Sequence, residues 1–449
     1  MNKRIHKAIA TGREALAHHD RRKLLSGAAV AFSIKILSAA LSYFMFVALA
    51  RAMTLEAFGV FGAAFSLGLF GAKVAVCGQQ QLVMREVSAH PDDAALKRGV
   101  TLHGYAVVLV ASAVLGLMLT FASSLSHNAI YSLVALFVPV MAISELQTSL
   151  LRGHGSIALA LAPREVAWRV AVIAVAGSLA LTGSQIEANW ALVLVAGLLA
   201  GAIVAQMLAH PSSRLWTFIG QPKKILDWRK TSASFWGSSV ILGSAQQLST
   251  VIVGLILMPT AAGPFFAALK TAQLLNLLLL SSNIIAAPLL SRYYGRGDLK
   301  EMQIAATLVA TIAGSFAIGG LLVMIFYGDA LLAVFGSGFV DAHAALIVMA
   351  TGYTVSAACG PNAEALDMTG NERIMLRILT TTNGVALLAL PVATWAFGTM
   401  GAAAVVAGSM MTWNLWARHE TKRQLGIDTS LLSLITLFST RRIFAREHT

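Results

Sequence analysis

Apolar runs of about 20 residues, separated by short polar breaks, recur along the whole chain, and this pattern predicts membrane-crossing helices. The predicted spans are 26–50, 57–78, 100–122, 129–151, 165–182 and 189–209. After a basic connector they continue at 234–257, 262–289, 303–326, 341–362, 377–397 and 400–417. At 1.5 Å of rise per residue, such lengths match a hydrocarbon core of roughly 30 Å. The expected fold is all-α, a polytopic membrane protein of about twelve transmembrane helices. Little chain is left for a soluble domain.

Composition agrees with lipid as the main solvent. The chain has 449 residues, 57% hydrophobic and 12% charged, where an ordinary soluble domain is about a quarter charged. The net charge of +13 is not spread as a nucleic-acid footprint. All Lys and Arg residues except Lys35, Arg51, Lys73 and Lys270 lie in the tails, in one alternating set of loops, or at helix ends facing them. Those loops are 79–99, 152–164, 210–233, 290–302 and 363–376. Basic residues stay on the cytoplasmic side during insertion, so the pattern predicts both termini inside.

The amino-terminal Arg21-Arg22-Lys23 resembles a twin-arginine signal, but the apolar stretch that follows, 24–50, is too long for a signal peptide. It reads as a first span. The tails 1–23 and 421–449 are basic, and their apolar residues suit either an interfacial position or plain solvation. Cys77 and Cys359 fall near predicted cytoplasmic helix ends and read as packing residues, with no disulfide and no metal site.

The chain looks duplicated. Asp93-Ala-Ala-Leu96-Lys97 before the third span matches Asp298-Leu299-Lys300 before the ninth. Leu151-Arg152-Gly153-His154 matches Met368-Thr369-Gly370-Asn371. The organisation expected is a tail over 1–23, a six-helix bundle over 24–210, a connector over 211–233, a second bundle over 234–420 and a tail over 421–449. Two pseudo-symmetric bundles in parallel repeat place a binding site between them near the midplane.

Three lysines interrupt apolar spans: Lys35, Lys73 and Lys270. A central Lys costs roughly 2.5–3.5 kcal/mol on insertion scales. They must meet a counter-ion, snorkel to an interface, or face a watery cavity and an anionic ligand. The one deep acid is Glu145, a candidate partner for one lysine and a candidate ion-coupling group. Gln273, Asn276 and Asn283 share a helical arc of roughly 140° with Lys270. Gln246 and Gln247 lie on the preceding span. These amides suit either sugar hydroxyls or helix–helix contacts. No nucleophile–base pairing or nucleotide-binding glycine loop is present, so an enzyme is not expected.

The stretch Leu49-Ala-Arg51-Ala-Met-Thr-Leu-Glu56-Ala-Phe58-Gly59-Val-Phe61 resembles the start of bacterial polysaccharide flippases. These are O-antigen and exopolysaccharide exporters of the multidrug/oligosaccharidyl-lipid/polysaccharide superfamily. Leu332-Ala-Val-Phe335-Gly336-Ser-Gly-Phe339 and Met368-Thr369-Gly370-Asn371-Glu372 resemble its second-half landmarks. The resemblance implies a V-shaped pair of bundles that moves a polyprenyl-diphosphate-linked oligosaccharide to the periplasmic leaflet of the bacterial inner membrane. It implies that Lys35, Lys73 and Lys270 grip the diphosphate; beside them, the residues themselves offer Gln246, Gln247, Gln273 and Asn276 as candidates for the sugar and Glu145 as a candidate for ion coupling. The working unit expected is a monomer without cofactor or nucleic acid. Its partners are the lipid-linked substrate, membrane lipids and other polysaccharide-assembly proteins. The rivals are a multidrug/cation antiporter of the same superfamily, disfavoured by the internal positive charge, and a membrane polysaccharide polymerase or ligase, disfavoured by short external loops.

Overall fold

The computed structural model describes residues 30–434, apart from 91, 127–129, 210–221 and 242–243. The expected basic tail 1–23 and the end of the second tail, 435–449, lie outside the described residues. The described chain is helical from end to end. The first half runs α1 (Val30–Arg51), α2 (Leu55–Ala75), α3 (Gln79–Ala89), α4 (Ala94–Ser126) and α5 (Ile130–Gly153). It continues with α6 (Ile157–Ala162), a π-helical turn (Pro163–Ala167), α7 (Trp168–Leu181) and α8 (Ala188–Ala209). The second half runs α9 (Pro222–Ile241), α10 (Ser244–Ile256) and α11 (Pro259–Gln273). A 3₁₀ turn (Leu274–Asn276) leads into α12 (Leu277–Gly295), α13 (Leu299–Ala333), α14 (His343–Cys359), α15 (Asn362–Asp367) and α16 (Glu372–Leu425).

Among the described residues, nine helices are long and apolar enough to cross a membrane, or ten if the bent pair α9–α10 counts as one span. Large apolar side chains point away from the protein, Leu117 at 72% exposure and Leu388 at 79% among them. Water would not tolerate so wide an apolar surface; lipid does. The chain is a multi-pass membrane protein.

Local chemistry sets the breaks. Thr54 caps α2 by accepting from the Ala57 N–H at 3.1 Å, and Glu56 in the first turn complements the helix dipole. Asp298 caps α13 in the same way, through the Glu301 N–H at 3.1 Å. Gly78, with φ of 71°, turns the chain from α2 into α3 at a spot where a Cβ would sit 2.8 Å from the Trp236 nitrogen. Only glycine satisfies both the left-handed backbone and the close approach.

Several expected boundaries are corrected. The predicted loop 79–99 contains the helix α3, and the predicted loop 152–164 is largely helical through α6 and the π turn. The eighth span is interrupted by the 3₁₀ turn at Leu274–Asn276. The spans expected at 377–397 and 400–417 join into the 54-residue α16, broken at Gly398 by a left-handed backbone (φ 61°). Cys77 and Cys359 are free thiols.

The two halves meet where α2 and α11 begin. Gly59 and Gly263 cross there so closely that a Cβ on Gly59 would overlap the Pro259 carbonyl oxygen. A Cβ on Gly263 would lie 2.9 Å from the Leu55 oxygen. Small residues let helix backbones touch in lipid, where no hydrophobic force brings helices together. Around this crossing Phe58 packs edge-on against Phe266 and Phe339, and Tyr43 against Phe335. Arg51, at the end of α1, donates to the Val334 and Ala333 carbonyls at 2.6 and 2.9 Å, closing the C-terminus of α13.

Candidate functional site

The π turn shapes the first part of the site. A π turn widens the helix and releases carbonyls from their usual partners. Here Trp168 Nε1 donates to the Arg164 carbonyl, and Arg169 Nη1 donates to the carbonyls of Arg164 and Glu165. The turn carries Glu165 into the bundle, where its carboxylate accepts from Lys35 Nζ at 2.5 Å and Ser38 Oγ at 2.6 Å. Arg169 lies 3.3 Å from the same carboxylate. Glu145 is bound instead to Arg164, at 3.1 Å.

Two cavities follow. One of about 280 Å³ is lined by Ser42, Tyr43, Arg169, Lys270 and Gln273. Lys270 stands over the Phe46 and Phe266 rings, 5.7 and 5.1 Å from their centroids, and 3.4 Å from Gln273 Oε1. Among the described residues no carboxylate lies within 4.0 Å of it. The other cavity, of about 390 Å³, holds Lys73, Gln246, Gln247, Asn276, Asn283 and the acids Glu364 and Asp367. Leu280 borders both.

The three lysines therefore do not form one cluster. Lys35 is clamped by Glu165, Lys270 faces the smaller cavity with Arg169, and Lys73 faces the larger one with the acids. The amides divide likewise: Gln273 goes with Lys270, while Gln246, Gln247 and Asn276 go with Lys73. A lysine–Glu145 pair is not formed, because Arg164 occupies that carboxylate.

Sequence reading missed Glu165 and Arg169. The span expected at 165–182 puts both residues at its cytoplasmic end. The span expected at 341–362 likewise leaves Glu364 and Asp367 just beyond its cytoplasmic end, in the loop expected at 363–376. Gly360 (φ 71°) and Pro361 break the helix there and fold the short α15 against the cavity. Glu364 Oε1 accepts from Asn283 Nδ2 at 2.6 Å. Burial, with the Asp367 charge beside it, pushes the Glu364 carboxyl up to about 7 despite that bond. The folded protein thus binds this proton more tightly than the unfolded chain. The resulting stability is fully present below about 4.5 and is lost as pH rises through about 7. Thermal unfolding of purified Glu364→Gln is expected to lack that decline between pH 5 and 7.

A profile described as polysaccharide biosynthesis protein matches residues 24–294, more than half of the chain. The chain belongs to that family. No curated protein matches this family member in sequence. Its fold is that of transporters of the MOP superfamily. An inward-facing multidrug resistance MATE family transporter of that superfamily aligns at 13% identity over 89% of this chain and 98% of its own, with a TM-score of 0.72. An outward-facing MATE transporter aligns at 14% over 88% and 96%, with a TM-score of 0.56. A MOP superfamily transporter from Pyrococcus furiosus, described as having a pocket of reverse polarity that suggests a different function, aligns at 12% over 89% and 95%, with a TM-score of 0.60. At such identities the likeness is one of fold.

Proposed function

We propose that this protein flips a lipid-linked oligosaccharide, carried on a polyprenyl diphosphate, across the bacterial inner membrane by alternating access. The observation that carries this reading is Lys270 with Arg169 at a central cavity, where Lys270 has no carboxylate partner among the described residues. A cation held in low dielectric without a neutralising acid favours an anionic ligand. Membership in a polysaccharide biosynthesis family supports the glycan cargo. The amides of the larger cavity supply donors and acceptors of the kind sugar hydroxyls need.

In this reading α16 crosses twice, divided at Gly398, and α6, the π turn and α7 form one further crossing. With the ten spans this gives twelve, as two six-helix bundles. Gly59 and Gly263 are equivalent positions of the two bundles, and α2 and α11 close the periplasmic side. The higher TM-score to the inward-facing relative supports an inward-open state, and the basic residues of the loops 79–99, 152–164, 290–302 and 363–376 support cytoplasmic termini.

The multidrug/cation antiporter is a second reading, favoured by Glu364 and Asp367 in the larger cavity and by the MATE likeness. Glycan export in a strain lacking the chromosomal copy separates the two. Lys270→Ala is expected to lower export at least ten-fold at unchanged membrane abundance, since a charge-assisted bond contributes roughly 1.5–3 kcal/mol. Arg should restore export better than Gln. Normal export by Lys270→Ala, with drug efflux abolished by Glu364→Gln, would establish the antiporter instead.

A further inference from the structure

A third space lies away from both cavities, a cleft of about 550 Å³ between α4 and α9. Gln79, His103 and Arg229 line it together with Val107, Val110 and Trp236. On each helix the apolar residue stands seven positions beyond the polar one (110 − 103 and 236 − 229), or about 10 Å along the axis. Arg229 lies close enough to His103 to act on its charge, and Val110 and Trp236 line the same cleft further along their helices. The His103 ring lies 5.6 Å from the ring of Trp228, and Trp236, further along α9, donates to the Val74 carbonyl at 2.9 Å. The cleft is therefore polar at one end and apolar at the other.

Its walls are built rather than incidental. Trp228 is buried against Gly99 and His103, and α9 seats directly on Gly78. Gln81 Nε2 donates to Ser239 Oγ at 3.0 Å beside the same contact. Two polar atoms of residues lining the cleft are buried without a partner: Gln79 Oε1, on a side chain 1% exposed, and His103 Nε2. Buried groups of this kind are normally satisfied, so each calls for a ligand. Arg229 makes no ion pair among the described residues, and Val110, 65% exposed, opens the apolar end onto the lipid-facing side of α4.

We propose that this cleft binds an anionic, phosphate-bearing lipid from the surrounding leaflet. Arg229, His103 Nε2–H and the Gln79 amide, rotated to present its N–H, hold the phosphate; one chain lies along Val107, Val110 and Trp236. The site does not depend on which cargo the central cavities carry. The ligand chemistry has two sources, a bulk phospholipid or a polyprenyl phosphate.

Native mass spectrometry of the purified full-length protein tests it, with dioleoyl phosphatidylglycerol, undecaprenyl phosphate and zwitterionic dioleoyl phosphatidylcholine as probes. The proposal expects one anionic lipid retained at least ten-fold more tightly than phosphatidylcholine. Arg229→Gln should abolish that preference, and Val110→Trp, which fills the apolar end without changing charge, should weaken retention. Lys300→Gln, outside the cleft, should leave it intact. Preference for undecaprenyl phosphate assigns the site to the carrier lipid; equal retention of both anionic lipids assigns it to bulk phospholipid. Phosphatidylcholine held as tightly as either, or unchanged retention in both cleft variants, overturns the proposal.

Discussion

Gly59→Val is expected to abolish transport and to open the contact between α2 and α11. The added side chain would overlap the Pro259 carbonyl and crowd the Gly263 nitrogen, 3.0 Å from the new Cβ. Neither obstacle is the end of a flexible side chain, so the helices themselves must part. Overpacking of this kind costs roughly 1–3 kcal/mol or more, which shifts a two-state equilibrium about 5- to 150-fold. The state penalised is the one in which the two halves touch at this crossing. Phe339, 4% exposed here, reports on it. With Cys77 and Cys359 replaced, a cysteine at position 339 should be protected from a membrane-impermeant maleimide in the parent and modified rapidly in Gly59→Val. Gly59→Ala should fall between. Protection unchanged, with transport intact, would mean that the crossing does not control access.

The second large effect is expected at Glu165. Its carboxylate serves Lys35, Ser38 and Arg169 together, and its side chain is 9% exposed. Glu165→Ala leaves Arg169, itself 16% exposed, with its charge buried and unmatched. Breaking a buried pair from one side costs on the order of 3–5 kcal/mol. Thermal unfolding in detergent should therefore show a large loss of stability. Glu165→Gln should lose less, because the amide oxygen still accepts from Lys35 and Ser38. Lys35→Ala should lose least, since Lys35 is 40% exposed and Arg169 keeps its partner. A larger loss for Lys35→Ala than for Glu165→Ala would show that the carboxylate is not the centre of this network.

The spans were legible because a crossing must be about 20 residues long and nearly free of charge, a constraint with few solutions in this chain. The three lysines were legible as exceptions to it. Their partners were not, because the apolar pattern of a membrane helix is almost uniform around its axis and does not say which face points inward. Lys35 thus looked equivalent to Lys270, yet one meets Glu165 and the other does not. Glu165 was hidden because the span was expected to begin only at 165; the π turn instead continues the helix back through Pro163. Glu364 was hidden by the opposite effect. The span expected to run straight through 341–362 stops at Cys359, turns at Gly360 and returns its acids to the cavity.

The most direct test of the account is translocation by the purified protein in proteoliposomes of a fluorescent oligosaccharide on a polyprenyl diphosphate, beside an organic cation such as ethidium under an imposed ion gradient. The account predicts protein-dependent movement of the lipid-linked sugar, lost in Lys270→Ala and recovered in part by Lys270→Arg, with no movement of the cation. Gradient-driven cation transport without translocation of the lipid-linked sugar would contradict it.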